Sequence, residues 1–85
     1  MTDLEITRRC AVAMGYRDDF YVDGLNIMFR NGRLYDPLYY DAQAMGLMKR
    51  FPWETTEALR KQLKSVQVFD PNRAICECVA NRQTL

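Results

Sequence analysis

The sequence of 85 residues contains no histidine and only three cysteines, Cys10, Cys76 and Cys78. A zinc site needs about four ligands, and this set cannot supply them, so we predict no metal site. An odd number of cysteines does not indicate a disulfide framework, and a reducing, cytoplasmic environment fits better. We expect Cys10 and Cys78 to pack in the core as small apolar residues, and Cys76 to lie at the surface.

The chain also lacks a marked excess of charge and a long apolar run. Its 12 basic and 11 acidic residues nearly cancel, which argues against strong electrostatic binding of nucleic acid. No run approaches the roughly 18 apolar residues that cross a membrane. The length and the 48% apolar content indicate one globular domain, residues 1–85, that is soluble and intracellular.

Two Asp-Pro dipeptides, Asp36-Pro37 and Asp70-Pro71, are the clearest local signals. An Asp side chain can accept hydrogen bonds from the free N–H groups of a helix's first turn, and Pro is well suited to the next position. We therefore interpret Asp36 and Asp70 as helix caps rather than as catalytic or metal-binding carboxylates. The apolar spacing predicts four helices, over residues 3–14, 37–50, 54–64 and 71–82.

Between the first two helices, Asp23-Gly24 and Asn31-Gly32 are typical of two-residue type I′ hairpin turns. Such turns would pair Val22 with Leu25, Phe20 with Ile27 and Phe29 with Leu34. All six side chains would then share one face of a three-stranded meander. A short fourth strand is predicted at residues 66–69. The pattern predicts an α+β fold, with three to four helices flanking a small antiparallel sheet as an αβα sandwich.

Three segments resemble a known family. They are a helix ending in Cys-Ala-x-Ala-Met-Gly-Tyr (within 6–16), then Tyr-Asp-Pro-Leu-x-x-Asp-Ala-Gln-Ala-Met (within 35–51) and Asn-Arg-Ala-Ile-Cys-Glu-Cys-Val-Ala (within 71–82). Together they resemble the phage ABA-sandwich domain and, more distantly, the NinX-type phage proteins. The resemblance implies a phage origin and layered α/β/α architecture, but it supplies no activity. Tyr39-Tyr40-Asp41 departs from the family's frequent His-Asp pair.

Tyrosine and arginine are enriched at the energetic centres of protein interfaces, because they combine a large contact area with polar ends. The candidate interface residues in this chain are Tyr21, Tyr35, Tyr39, Tyr40, Arg30 and Arg33. Two alternatives remain open. The tyrosines can seal the boundary between sheet and helices with their hydroxyls in water, or the set can stack bases or hold a nucleotide.

These observations predict a non-enzymatic phage accessory protein, without cofactor, that binds a macromolecule of the host. The expected partner is a host protein, which the chain would inhibit if that protein serves defence or regulation. We also expect a homo-oligomer, located in the cytoplasm of the host cell. The alternatives are a sponge-like protein for a nucleotide or other small ligand, and a binder of single-stranded nucleic acid.

Overall fold

A computed structural model describes residues 1–65 and 70–83 and confirms the α+β class. The elements of this part of the chain are α1 (Asp3–Ala13), β1 (Phe20–Asp23), β2 (Asn26–Phe29), β3 (Leu34–Tyr35), α2 (Asp41–Arg50), α3 (Pro52–Ser65) and α4 (Pro71–Arg82). The predicted fourth strand, residues 66–69, lies outside the described residues. None of the helices that the structure describes is both long enough and apolar enough to cross a membrane.

Side-chain caps start the first and last helices. The Thr2 hydroxyl accepts a hydrogen bond from the Glu5 amide at 3.1 Å, which fixes the start of α1. The Asp70 carboxylate accepts one from the Arg73 amide at 3.2 Å, and Pro71 occupies the first turn of α4. The predicted role of Asp70 as a helix cap is confirmed.

The second helix begins later than predicted, and Asp36 does not cap it. The Asp36 carbonyl accepts hydrogen bonds from the amides of Tyr39 and Tyr40, at 3.1 and 2.9 Å, and so closes an isolated turn. Tyr40 is extended, with φ −92° and ψ 115°, and α2 starts only at Asp41. This break in the helix leaves Tyr39 and Tyr40 on a turn that projects from the fold.

The register of the first hairpin also differs from the prediction. Asp23 pairs with Asn26, and Val22 pairs with Ile27 rather than with Leu25. Gly24 and Leu25 therefore form the turn. Gly24 has φ +61°, as the first central residue of a type II′ turn requires. A turn centred one residue later moves Leu25 out of the strand, where its side chain is 84% exposed.

The second hairpin closes through a longer loop than predicted. Met28 pairs with Leu34, and the Phe29 amide donates to the Arg33 carbonyl at 2.8 Å, so residues 30–32 form a three-residue loop. Gly32 has φ +87°, the left-handed conformation that ends this type of loop. The predicted pair of Phe29 with Leu34 is therefore wrong, because Leu34 turns to the opposite face.

The altered register changes which residues the sheet presents to the helices. Four of the predicted residues still share the inner face: Phe20, Val22, Ile27 and Phe29. Tyr35 joins them opposite Ile27 and is only 3% exposed. Its ring makes edge-to-face contacts with Tyr16 and Phe29, with centroids 5.7 and 5.4 Å apart. The inner face is thus completed by an aromatic cluster instead of Leu25 and Leu34.

The helices pack mainly on one another, with α4 against the other three and α1 against β2. Cys10 and Cys76 meet in this core, both fully buried, and the Cys10 thiol donates to the Cys76 carbonyl at 3.4 Å. The expected burial of Cys10 is confirmed, but the surface position of Cys76 is wrong. Cys78 is half-buried and donates to the Glu54 carbonyl at 3.3 Å.

The outer edge of β3 is closed by a side chain. The Gln43 amide group, on α2, donates to the Leu34 carbonyl at 2.9 Å and accepts from the Asp36 amide at 2.6 Å. It thereby takes the place that a neighbouring strand would occupy. The same two bonds tie α2 to the turn that carries Tyr39.

Candidate functional site

A cleft of about 330 Å³ opens where the starts of α1, β2 and α4 meet the turn after β3. Ile27 and Tyr35, both buried, lie at its floor. We call this depression the Tyr39 cleft, and its walls and rim include Asp3, Leu25, Asp36, Tyr39, Asp70 and Arg73. Three separate chain segments and the β1–β2 turn contribute to it, so only the folded chain forms the cleft.

Exposed apolar side chains project beside the mouth of this cleft. Tyr39 is 74% exposed and Leu25 is 84% exposed, although both are large. The Tyr39 ring packs edge-to-face on the neighbouring Tyr40 ring, with centroids 5.0 Å apart. Contact with Tyr40 orients the Tyr39 ring without burying it. Clustered apolar groups at the mouth of a concavity are typical of surfaces that bind another molecule.

Among the described residues that line the cleft, three carry a carboxylate and one carries a guanidinium. The Arg73 guanidinium donates to Asp3 at 2.7 Å and to Glu77 at 2.9 Å. These two bonds raise the pKa of Arg73 further above its usual value. In the described part of the chain, no ion pair involves Asp36 or Asp70. Negative charge therefore prevails in the cleft.

Tyr35, one of the sequence-predicted contact residues, belongs to the core. Burial raises the pKa of its hydroxyl, and the nearby thiols of Cys10 and Cys76 add to the effect. Among the residues that the structure describes, none forms a hydrogen bond with this hydroxyl. The phenol supports the floor of the cleft and is not available as a surface contact.

The other predicted contact residues lie away from the cleft. Arg30 lies in the loop at the far end of β2 and Arg33 follows that loop, about 10 Å from the Asn26 end that borders the cleft. The Arg30 side chain is held there by the Asp18 carbonyl at 2.8 Å. Tyr21, 45% exposed, points from β1 to the outer face of the sheet. The structure thus keeps Tyr39 and Tyr40 together and separates them from Tyr21, Arg30 and Arg33.

Sequence reasoning missed Leu25, Asp3 and Arg73 as parts of the site. Leu25 has an apolar side chain at a position that alternation assigns to the core, and only the turn geometry exposes it. Asp3 and Arg73 are 70 positions apart in the chain and meet only through the packing of α1 on α4. No local signal in the sequence indicates this meeting.

The described residues contain no group of three or more His, Cys, Asp or Glu side chains placed to hold a metal ion. Comparison of the chain with models of protein families, with curated proteins and with solved structures found no match. The resemblance to the phage ABA-sandwich domain therefore stays a prediction, and the residues of the Tyr39 cleft are the basis for a functional proposal.

Proposed function

We propose that the chain is a non-enzymatic binding protein, phage-encoded as its resemblance implies, that captures a host protein through the Tyr39 cleft. The observation that carries this proposal is the exposure of Tyr39 and Leu25 at a concavity, with the exposed Tyr40 ring packed on that of Tyr39. Exposed aromatic groups next to a pocket are the kind of feature that dominates the binding energy of protein interfaces. Capture of a defence or regulatory protein in this way would block that protein's own contacts.

The polar groups of the cleft favour binding over catalysis. Asp70 caps α4, and Asp3 is paired with Arg73. The Thr7 hydroxyl donates to the Asp3 carbonyl at 2.9 Å, within its own helix. These three groups thus already serve the fold, and general acid–base catalysis would need a group free to exchange a proton with a substrate. The cleft offers shape, apolar contact and charge.

The same charges argue against the nucleotide alternative. A nucleotide in the cleft would place its phosphates beside the carboxylates of Asp3, Asp36 and Asp70. The one guanidinium present, that of Arg73, already holds two carboxylates. Like charges at such distances repel, and the repulsion grows as water is displaced. A protein partner meets no such barrier.

Paired substitutions test the proposal. We expect Tyr39→Ala/Tyr40→Ala to abolish capture of a specific protein from a bacterial host lysate, with the thermal midpoint almost unchanged, because both side chains are exposed. Trp53→Ala is the matched control, since Trp53 is equally aromatic and 84% exposed but lies on α3. The captured protein is then titrated against each purified variant by calorimetry. Equal affinity of the double variant and the wild type would refute the proposal.

A further inference from the structure

We propose that the partner segment bound in the Tyr39 cleft presents an arginine side chain next to an apolar one. This inference rests on the proposed function and specifies its chemistry. The two halves of the recognition come from different residues: carboxylates on the walls for the guanidinium, and exposed apolar groups at the mouth for the apolar neighbour.

The charge argument begins with the wall formed by Asp36 and Asp70. In the described residues, Arg73 forms an ion pair with Asp3 but none with these two carboxylates. Both carboxylates line the same cleft. A cation entering there would meet two negative groups.

Arginine fits this wall better than lysine does. A guanidinium is planar and carries five donors, so it can bond a carboxylate through two parallel N–H groups and still reach a second acceptor. Arg73 already shows that one guanidinium can bridge two carboxylates, because its Nη2 group donates to Asp3 at 2.7 Å and its Nη1 group donates to Glu77 at 2.9 Å. A partner arginine at Asp36 and Asp70 would repeat the arrangement.

The apolar half of the site is set by Leu25 and Tyr39. Leu25 projects from the β1–β2 turn and Tyr39 from the turn after β3, and each contributes to the lining of the cleft. An apolar side chain placed between them would cover the two largely exposed groups and exclude water from the nearby ion pair. Partial exclusion of water strengthens the attraction between opposite charges.

A defined probe, N-acetyl-leucyl-arginine amide, tests this chemistry by titration into the ¹⁵N-labelled protein, followed by NMR. We expect it to shift the amide signals of Tyr39, Asp36 and Arg73 at millimolar concentration. The neutral isostere with citrulline in place of arginine should bind about tenfold more weakly, since two partly exposed ion pairs are lost. Equal binding of the citrulline probe, or no shift with the arginine probe, would overturn the inference.

Variants of the protein give the reciprocal measurement. Asp36→Asn/Asp70→Asn removes both charges, and Asn still caps a helix, so α4 should stay folded. We expect this variant to bind the arginine and citrulline probes equally. Asp19→Asn, at the far end of the sheet, is the matched control and should keep the preference. If the double variant keeps the preference but Tyr39→Ala/Tyr40→Ala loses the host partner, the inference fails while the proposed function stands.

Discussion

Replacement of Gln43 by Ala is expected to loosen the turn that carries Tyr39. The Gln43 side chain makes two bonds to main-chain groups, to Leu34 at 2.9 Å and to Asp36 at 2.6 Å. A net hydrogen bond contributes about 1 kcal/mol, so the loss of both costs about 2 kcal/mol. The higher helix propensity of Ala offsets only a few tenths of that. For a domain of this size, the thermal midpoint should fall by roughly 8 °C or more.

Circular dichroism gives the thermal midpoint, and hydrogen exchange tests the mechanism directly. The Asp36 amide should exchange faster in Gln43→Ala, because Gln43 is its acceptor. Gln62→Ala is the matched control, since the buried Gln62 carbonyl oxygen has no hydrogen-bond partner among the described residues. A midpoint for Gln43→Ala within about 2 °C of the wild type, with unchanged exchange at Asp36, would refute the reasoning.

Two further predictions concern the helical core. Gly46→Ala should raise the free energy of unfolding by about 0.5–1 kcal/mol, because the added methyl meets only the Met14 Cε atom at 3.7 Å. A lower free energy of unfolding, measured by urea titration, would contradict this. The buried Cys76 and Tyr35 have raised pKa values, so the folded state keeps protons that the unfolded chain releases. Stability should be full below about pH 8.5 and fall as the pH rises above it, and a flat urea profile up to about pH 10.5 would exclude this.

The sequence predicted α1, α4 and the meander because their signals are local. The Asp70-Pro71 cap acts within one turn, and each Gly-containing dipeptide marks a hairpin wherever the strand partners fall. These local signals do not determine which two residues form the centre of the first turn. Asp23-Gly24 and Gly24-Leu25 are both suitable central pairs for a two-residue turn, and the choice between them shifts the strand pairing by two residues.

The packing of the inner face against the rest of the fold is not visible in the local sequence. The first turn exposes Leu25, and the longer loop of the second hairpin turns Tyr35 to the inner face, where it contacts Tyr16 and Phe29. The start of α2 was mispredicted for a related reason. Asp36-Pro37 signals the beginning of a turn, but the bonds of Gln43 to Asp36 and Leu34 span seven and nine residues and produce no periodic pattern in the sequence.

The Gln43 amide also limits how this protein can assemble. Within the described part of the chain, the sheet order β1-β2-β3 leaves two flanks, and Gln43 occupies the one at β3. Among the strands that the structure describes, this leaves the flank of β1 for an additional strand from another molecule. A ribbon that recruits subunits at a single flank ends once two copies have joined, so unlimited fibrillar growth by strand addition is blocked. Gln43 thereby limits strand-mediated assembly to a dimer.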